Sequence, residues 1–198
     1  HYSLAEQVLS DFAMRHGIPV IETVAGKSSL LWDHPRYGGP IGVTGAAPAN
    51  ELATRADVIL AVGTRLQDFT TGSWTTFDSQ ARFIGLNAAR FDAIKHRSLP
   101  VVGDAREGLV ELTQRLEGWT ATAEWTATGD VMRADLDAFI SDRTAPDGEL
   151  PLSYAQVVGA VNAAASPDDY VLTASGGLPG ELNINWHSLG IATFDCEY

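Results

Sequence analysis

The sequence is poor in cysteine, in basic residues and in long apolar runs. Its single cysteine, Cys196, excludes an intrachain disulfide and a cysteine-rich metal site. Only 13 Lys and Arg stand against 25 Asp and Glu, a net charge of −12, so nucleic acid is not an expected partner. No apolar run reaches the roughly 18 residues of a membrane span, and the first residues lack the basic and apolar regions of a signal peptide. These absences favour a cytoplasmic protein without membrane partners.

Short apolar runs alternate with helical patterns in the first 116 residues. Each run is β-branched or nearly all apolar and is bounded by turn residues, as a buried parallel strand requires. Strands are therefore predicted at residues 19–24, 58–62, 83–87 and 100–102. Helices are predicted at residues 3–16, 48–56 and 104–116, with Ser3 and Asp104 as amino-terminal caps. This alternation predicts an α/β fold built on a doubly wound parallel sheet.

The chain divides into three predicted parts. Residues 1–118 form a Rossmann-like central domain, and residues 119–150 form a linker with one helix, at 130–142. Residues 151–198 begin a second α/β domain with a helix capped by Ser153, a strand and a glycine-rich turn. Because so few elements cannot cover both faces of a sheet, we expect this second domain to be truncated and the chain to be a fragment of a longer protein.

Three glycine-rich turns are candidates for binding a phosphate. Gly176-Gly177-Leu178-Pro179-Gly180 follows a predicted strand and precedes a predicted helix, a geometry that presents backbone N–H groups to an anion. A plain strand-to-helix turn fits the same residues equally well. Gly42-Val43-Thr44-Gly45 and Gly63-Thr64-Arg65 offer similar amides and a guanidinium. Neither matches the GxGxxG pattern, so simple turns are the favoured interpretation of both.

Side chains for acid, base or metal chemistry are dispersed along the chain. The histidines at 16, 34, 96 and 187 lie apart from any serine or cysteine in a nucleophile elbow, so no catalytic triad is predicted. Asp104 could bind a metal at a sheet edge, but no second oxygen-ligand motif follows it, and a helix cap is the favoured role. The sequence therefore assigns no catalytic residue and no metal ligand.

Several motifs resemble those of a known enzyme superfamily. Residues 56–74, with Gly42-Val43-Thr44-Gly45 before them, resemble the central domain of thiamine-diphosphate-dependent enzymes. Within that superfamily the chain is most similar to the trihydroxycyclohexane-1,2-dione hydrolases of myo-inositol catabolism. Ala25-Gly26-Lys27, Trp32-Asp33-His34-Pro35 and residues 173–182 with Trp186 also resemble the pattern of these hydrolases. The more specific signals are residues 67–74 and 175–180. The resemblance covers essentially the whole chain.

The resemblance implies a function for the parent protein. It implies a homo-oligomeric enzyme that uses thiamine diphosphate and magnesium to hydrolyse a carbon–carbon bond of a cyclic diketone. Gly176, Gly177 and Leu178 would approach the cofactor diphosphate through main-chain contacts. The activating glutamate and the magnesium motif would lie outside these 198 residues, so we expect the chain alone to be inactive and to bind no cofactor.

Two alternative functions stay open. The parent could be another enzyme of the superfamily, such as an acetolactate-synthase-like carboligase, since the substrate-facing residues would lie in the missing domains. The chain could also be a free-standing nucleotide-binding module, because some relatives bind a flavin or ADP through loops similar to residues 42–45 and 63–65. We expect that nucleotide site to be structural and empty here.

Overall fold

A parallel sheet with helices on both faces lies at the centre of the protein. The computed structural model describes residues 1–197; Tyr198, the last residue of the predicted second domain, lies outside them. The strands are β1 (Val20–Glu22), β2 (Tyr37–Pro40), β3 (Val58–Val62), β4 (Arg82–Asn87), β5 (Leu99–Val102), β6 (Val171–Thr173) and β7 (Phe194–Cys196). The α-helices are α1 (Glu6–His16), α2 (Ala47–Arg55), α3 (Asp68–Thr71), α4 (Arg90–Ala93), α5 (Ala105–Arg115), α6 (Ala123–Thr144), α7 (Tyr154–Ala164) and α8 (Gly177–Asn185). Two 3₁₀ turns cover Val24–Gly26 and Lys95–Arg97.

All strand pairs are parallel. Strands β3, β4 and β5 form a three-stranded sheet in that order, with Val58 opposite Arg82 and Ile84 opposite Leu99. Strands β1 and β2 form one two-stranded sheet, and β6 and β7 form another. The predicted parallel α/β fold is confirmed.

Helices cover both faces of the three-stranded sheet. Leu60 and Leu86 point to one face and pack in a cluster with Leu109 of α5. Ile59 and Phe83, which have the opposite alternation, pack in a second cluster with residues of α2. Because successive side chains of a strand point to opposite faces, these two clusters lie on either side of the sheet. This double cover explains the apolar runs within β3 and β4.

The longest helix, α6, packs against the part of the molecule built by β1, β2 and α2. Leu136, which is 0% exposed, and Ile140 pack in one core cluster with Leu30, Tyr37 and Ala49. Helix α6 begins at Ala123, seven residues before its predicted start, because the hydroxyl of Thr122 accepts a hydrogen bond from the N–H of Trp125 at 3.2 Å. Within residues 1–197, every helix falls short of the length or hydrophobicity that a membrane span needs.

Two predicted caps have different outcomes. Asp104 caps α5 as predicted, since its Oδ1 accepts from the N–H groups of Arg106 and Glu107 at 2.9 and 3.3 Å. The prediction that Ser3 caps α1 is wrong: the helix begins at Glu6 without a side-chain cap. Ser3 instead forms a hydrogen bond with Asp104, and this bond, followed by those from Glu107 and Arg106, lowers the pKa of the Asp104 carboxyl.

Residues 151–197 have a small apolar cluster of their own. Ser153 and Gln156 form the capping box that begins α7. Val158 packs with Trp186 and Phe194 in this cluster, whereas several other apolar side chains stay exposed, among them Val157, Val161 and Leu172. The boundaries of a separate second domain stay a prediction.

Candidate functional site

The glycine loop, residues 174–178, joins β6 to the amino end of α8 and is exposed throughout. Gly176 has a φ of +148°, a conformation that favours glycine. Within residues 1–197, the N–H groups of Ser175 and Gly176 donate no hydrogen bond. The first N–H groups of a helix also lack intrahelical partners. Gly176, Gly177 and Leu178 thus stand where outward-facing amides are able to receive an anion.

The 42–45 loop of the central unit supports α8 directly. The carbonyl oxygen of Thr44 accepts a hydrogen bond from Nδ2 of Asn183 at 2.7 Å, and Asn183 is 0% exposed. A Cβ built at Gly180 would lie 3.4 Å from Cγ2 of Thr44. The loop therefore fixes the first turns of the helix whose amino end carries the glycine loop.

Three of the four amides of the 42–45 loop are used within the chain. The N–H of Gly42 donates to Oδ1 of Asn50 at 2.9 Å, and the N–H of Val43 donates to the carbonyl of Phe69 at 2.8 Å. The N–H of Gly45 bonds back to Gly42 at 2.9 Å, and that of Gly63 to Leu86 at 2.8 Å. These bonds favour structural turns at both loops and leave the nucleotide-binding alternative with little geometric support.

A second set of contacts holds the carboxyl side of α8. The ring of His187 stacks on the indole of Trp32, with centroids 3.5 Å apart and planes 13° apart. The N–H of Trp32 donates to the carbonyl of Ser188 at 3.0 Å. Motifs that are distant in sequence thus converge on α8, the 42–45 loop from one side and the β1–β2 loop (residues 23–36) from the other.

A buried pair of opposite charge lies under this second set of contacts. Lys27 is 0% exposed and Glu22 is 3% exposed. Burial raises the pKa of Glu22 to about 7, against the opposing effect of Lys27 and of backbone N–H groups. Burial lowers the pKa of Lys27 to about 8, opposed by Glu22. Sequence reasoning missed the pair, since a lysine is rarely fully buried, although Lys27 belongs to one of the motifs that carry the family resemblance.

The histidines do not form a hydrolytic dyad. The closest approach to one is a contact of 3.0 Å between Oγ of Ser10 and Nε2 of His34. The N–H of Arg36 donates to Nδ1 of His34 at 3.0 Å, so Nδ1 is unprotonated and the neutral ring carries its proton on Nε2. His34 therefore donates to Ser10 and has no lone pair to accept the serine proton. Residues 1–197 also contain no cluster of three or more potential metal-binding side chains.

His187 makes the stability of the fold depend on pH at the contact between the β1–β2 loop and the residues that follow α8. Its pKa is lowered to about 4, first by burial and then by the positive charge of Lys27. A histidine with a depressed pKa stabilises the fold above its unfolded pKa of about 6.5, and this stability is lost as the pH falls toward 4.

We therefore expect H187Q to be less stable than the wild type at pH 7.5, with a smaller difference at pH 5. Urea unfolding of both proteins at the two pH values measures this change. The raised pKa of Glu22 makes stability fall as the pH rises. Glu22 is present in both proteins, so its effect cancels in the comparison. A difference that stays constant between the two pH values would contradict the assignment.

The comparisons with known proteins agree with this architecture. The family model described as thiamine pyrophosphate enzyme, central domain, matches residues 1–112. The chain belongs to the thiamine pyrophosphate enzyme family. The matched residues run from α1 through most of α5, so they include the three-stranded sheet and both of its helical layers. The predicted resemblance to this enzyme family is confirmed.

Relatives within the family match along the whole chain. The chain is 34% identical to the 3D-(3,5/4)-trihydroxycyclohexane-1,2-dione hydrolases of Bacillus velezensis and Bacillus licheniformis. It is 30% identical to the protein of that name from Listeria monocytogenes. These alignments cover 100% of the chain and 34–35% of each relative. The chain thus spans about a third of the length of the thiamine pyrophosphate enzymes that it resembles.

Proposed function

We propose that this chain is the central domain and the first part of the diphosphate-binding domain of a thiamine-diphosphate-dependent hydrolase. The proposed reaction is hydrolysis of a carbon–carbon bond that opens the ring of trihydroxycyclohexane-1,2-dione in inositol catabolism. The observation that carries the proposal is the match of hydrolases of that name along the entire chain, α8 and its glycine loop included. We further propose that the parent enzyme is a cytoplasmic homo-oligomer that requires magnesium.

The glycine loop has the properties that a diphosphate needs. Its free N–H groups belong to exposed residues without acidic side chains. Among residues 1–197, apart from its chain neighbours, only Pro179 would come within 4 Å of a Cβ at Gly176. Gly176, Gly177 and Leu178 would hold the diphosphate through their N–H groups at the positive end of the α8 dipole. When bound, thiamine diphosphate supplies the nucleophilic carbon and the electron sink of the reaction.

The sheet of β1 and β2, with the loops that follow its two strands, would act as a scaffold in this enzyme. The 42–45 loop and the β1–β2 loop hold α8 from two sides, through Thr44 and Trp32. Within residues 1–197, the glycine loop has no histidine or carboxylate of its own for proton transfer. The chain would therefore orient the cofactor, and the acid and base groups of the reaction would come from the rest of the enzyme.

Turnover assays test this proposal. The full-length gene product is expected to consume the cyclic dione only when thiamine diphosphate and magnesium are both present, with the ring-opened acid seen by NMR. The 198-residue chain alone is expected to give no turnover. Formation of acetolactate from pyruvate without consumption of the dione would favour the carboligase alternative, and turnover by the short chain would contradict its role as a scaffold.

Calorimetry tests the nucleotide-binding alternative. Titration of ADP or FAD into the chain is expected to give no binding heat, because three of the four amides of the 42–45 loop are already bonded. Micromolar affinity for either nucleotide would show that the loop opens to a ligand.

A further inference from the structure

Glu22 shapes the loop that follows it. The carboxylate Oε1 accepts a hydrogen bond from the N–H of Leu30 at 2.9 Å, and the N–H groups of Ser28 and Ser29 also interact with this carboxylate. Ser28 has a φ of +67°, and this left-handed residue turns the chain so that successive amides face Glu22. A buried carboxylate held by several N–H groups fixes the loop around it.

Lys27 lies on the inner side of the same loop. Its Nζ has no hydrogen-bond partner in the part of the chain that the structure describes, and neither does Oε2 of Glu22. The ammonium lies 5.7 Å from the ring centroid of Phe194 in β7, within the range of a cation–π attraction. Lys27 interacts with the charge of Glu22 and with the ring of His187. Arg133 interacts in turn with Tyr37 and His187.

The residues next to Lys27 contact a segment that is distant in sequence. Ser28 accepts hydrogen bonds from the N–H of Ala192 through its carbonyl and from the N–H of Thr193 through its hydroxyl, both at 3.0 Å. Together with the Trp32 contacts, these bonds join residues 27–32 to residues 187–194. The loop shaped by Glu22 is therefore the surface on which the chain between α8 and β7 rests.

We propose that Glu22 and Lys27 form a positioning pair for α8. Glu22 sets the conformation of residues 28–30, and Lys27 attracts both Glu22 and the ring of Phe194. Together they hold residues 187–194, and hence α8 and the glycine loop, in a fixed place against β2 and the β1–β2 loop. The consequence for cofactor binding rests on the proposed function, whereas the positioning itself does not.

Hydrogen exchange in three variants tests the pair. K27M leaves the Glu22 carboxylate without its counter-charge, and E22Q leaves the Lys27 ammonium without one, which is costly in a buried site. Exchange at Ala192 and Thr193 is expected to rise about 100-fold in each single variant. Exchange within β3 is expected to stay unchanged. In the double variant E22Q/K27M, exchange at Ala192 and Thr193 is expected to rise less than the product of the two single-variant increases. The reason is that the double variant leaves no isolated charge.

The matched control is R55M, which breaks the exposed Arg55–Glu51 pair of α2 and is expected to leave exchange unchanged. A rise below about twofold in both single variants, an equal rise in β3, or additive effects in the double variant would each overturn the proposal. If K27M does not fold, E22Q and the double variant still decide the matter through their difference at Ala192 and Thr193.

A carboxyl titration supplies a readout that lost packing alone would not move. Because Lys27 lowers the pKa of Glu22, the ¹³C signal of the Glu22 carboxyl is expected to titrate at higher pH in K27M than in the wild type. An unchanged midpoint would show that the two charges do not interact. Neither hydrogen exchange nor the Glu22 titration involves cofactor or substrate. A negative result in these experiments would therefore not contradict the proposed hydrolase activity, and absence of that activity would not contradict the positioning pair.

Discussion

G42A is expected to destabilise the chain by at least about 3 kcal/mol. Gly42 has a φ of +110°, which strains any residue with a side chain. A Cβ at this position would also overlap the carbonyl oxygen of Phe69. That oxygen accepts the N–H of Val43 at 2.8 Å, so moving it away would break a backbone hydrogen bond as well.

Two glycine variants separate these causes. G63A introduces a side chain at a φ of +62°. Apart from the adjoining residues, no atom of residues 1–197 lies within 4 Å of the new Cβ, so we expect about 1 kcal/mol from backbone strain alone. G103A has neither a positive φ nor a close neighbour and is expected to change stability little. Urea unfolding of the three variants gives the comparison. A G42A variant as stable as G63A would show that the 42–45 loop moves freely away from Phe69.

L136A is expected to cost about 3 kcal/mol of unfolding free energy. Leu136 is 0% exposed and packs in the cluster that joins α6 to Leu30, Tyr37 and Ala49. The site has little freedom to collapse, because a Cβ on Gly39 would already lie only 2.7 Å from a methyl group of Leu136. Removing the side chain therefore leaves a cavity between α6 and β2.

V131A is the matched control, because Val131 lies on the same helix and is 55% exposed. Its expected cost is below about 0.5 kcal/mol. Both variants are compared with the wild type by chemical denaturation. Equal losses in L136A and V131A would mean that α6 contributes to stability through its own helicity and not through the shared core.

The strands that the sequence predicts best are those with cover on both faces. Strands β3 and β4 lie between two helical layers, so nearly every side chain is apolar and the run is visible in the sequence. Strand β2, Tyr37-Gly38-Gly39-Pro40, is not among the strands that the sequence predicts. Its glycines make room for leucines of α2 and α6. The sequence of this strand shows no apolar pattern, because the large side chains that fill its surroundings belong to the neighbouring helices.

The site was predicted in part for a similar reason. The glycine loop is a local strand-turn-helix pattern, so its position before α8 follows from nearby residues. The sequence could not show that amides of the 42–45 loop donate hydrogen bonds to Asn50 and Phe69, since Phe69 lies far along the chain. Nor could it show the burial of Lys27, because the residues that cover it belong to another part of the sequence.

The hydrogen bond between Ser28 and Thr193 joins residues 165 positions apart. A ribosome makes the chain from its amino end, so Lys27 emerges long before the segment that covers it. We therefore expect the growing chain to keep this ammonium in water until residues 187–194 arrive. A nascent chain stopped before residue 187 is expected to leave Lys27 open to solvent and to chaperones.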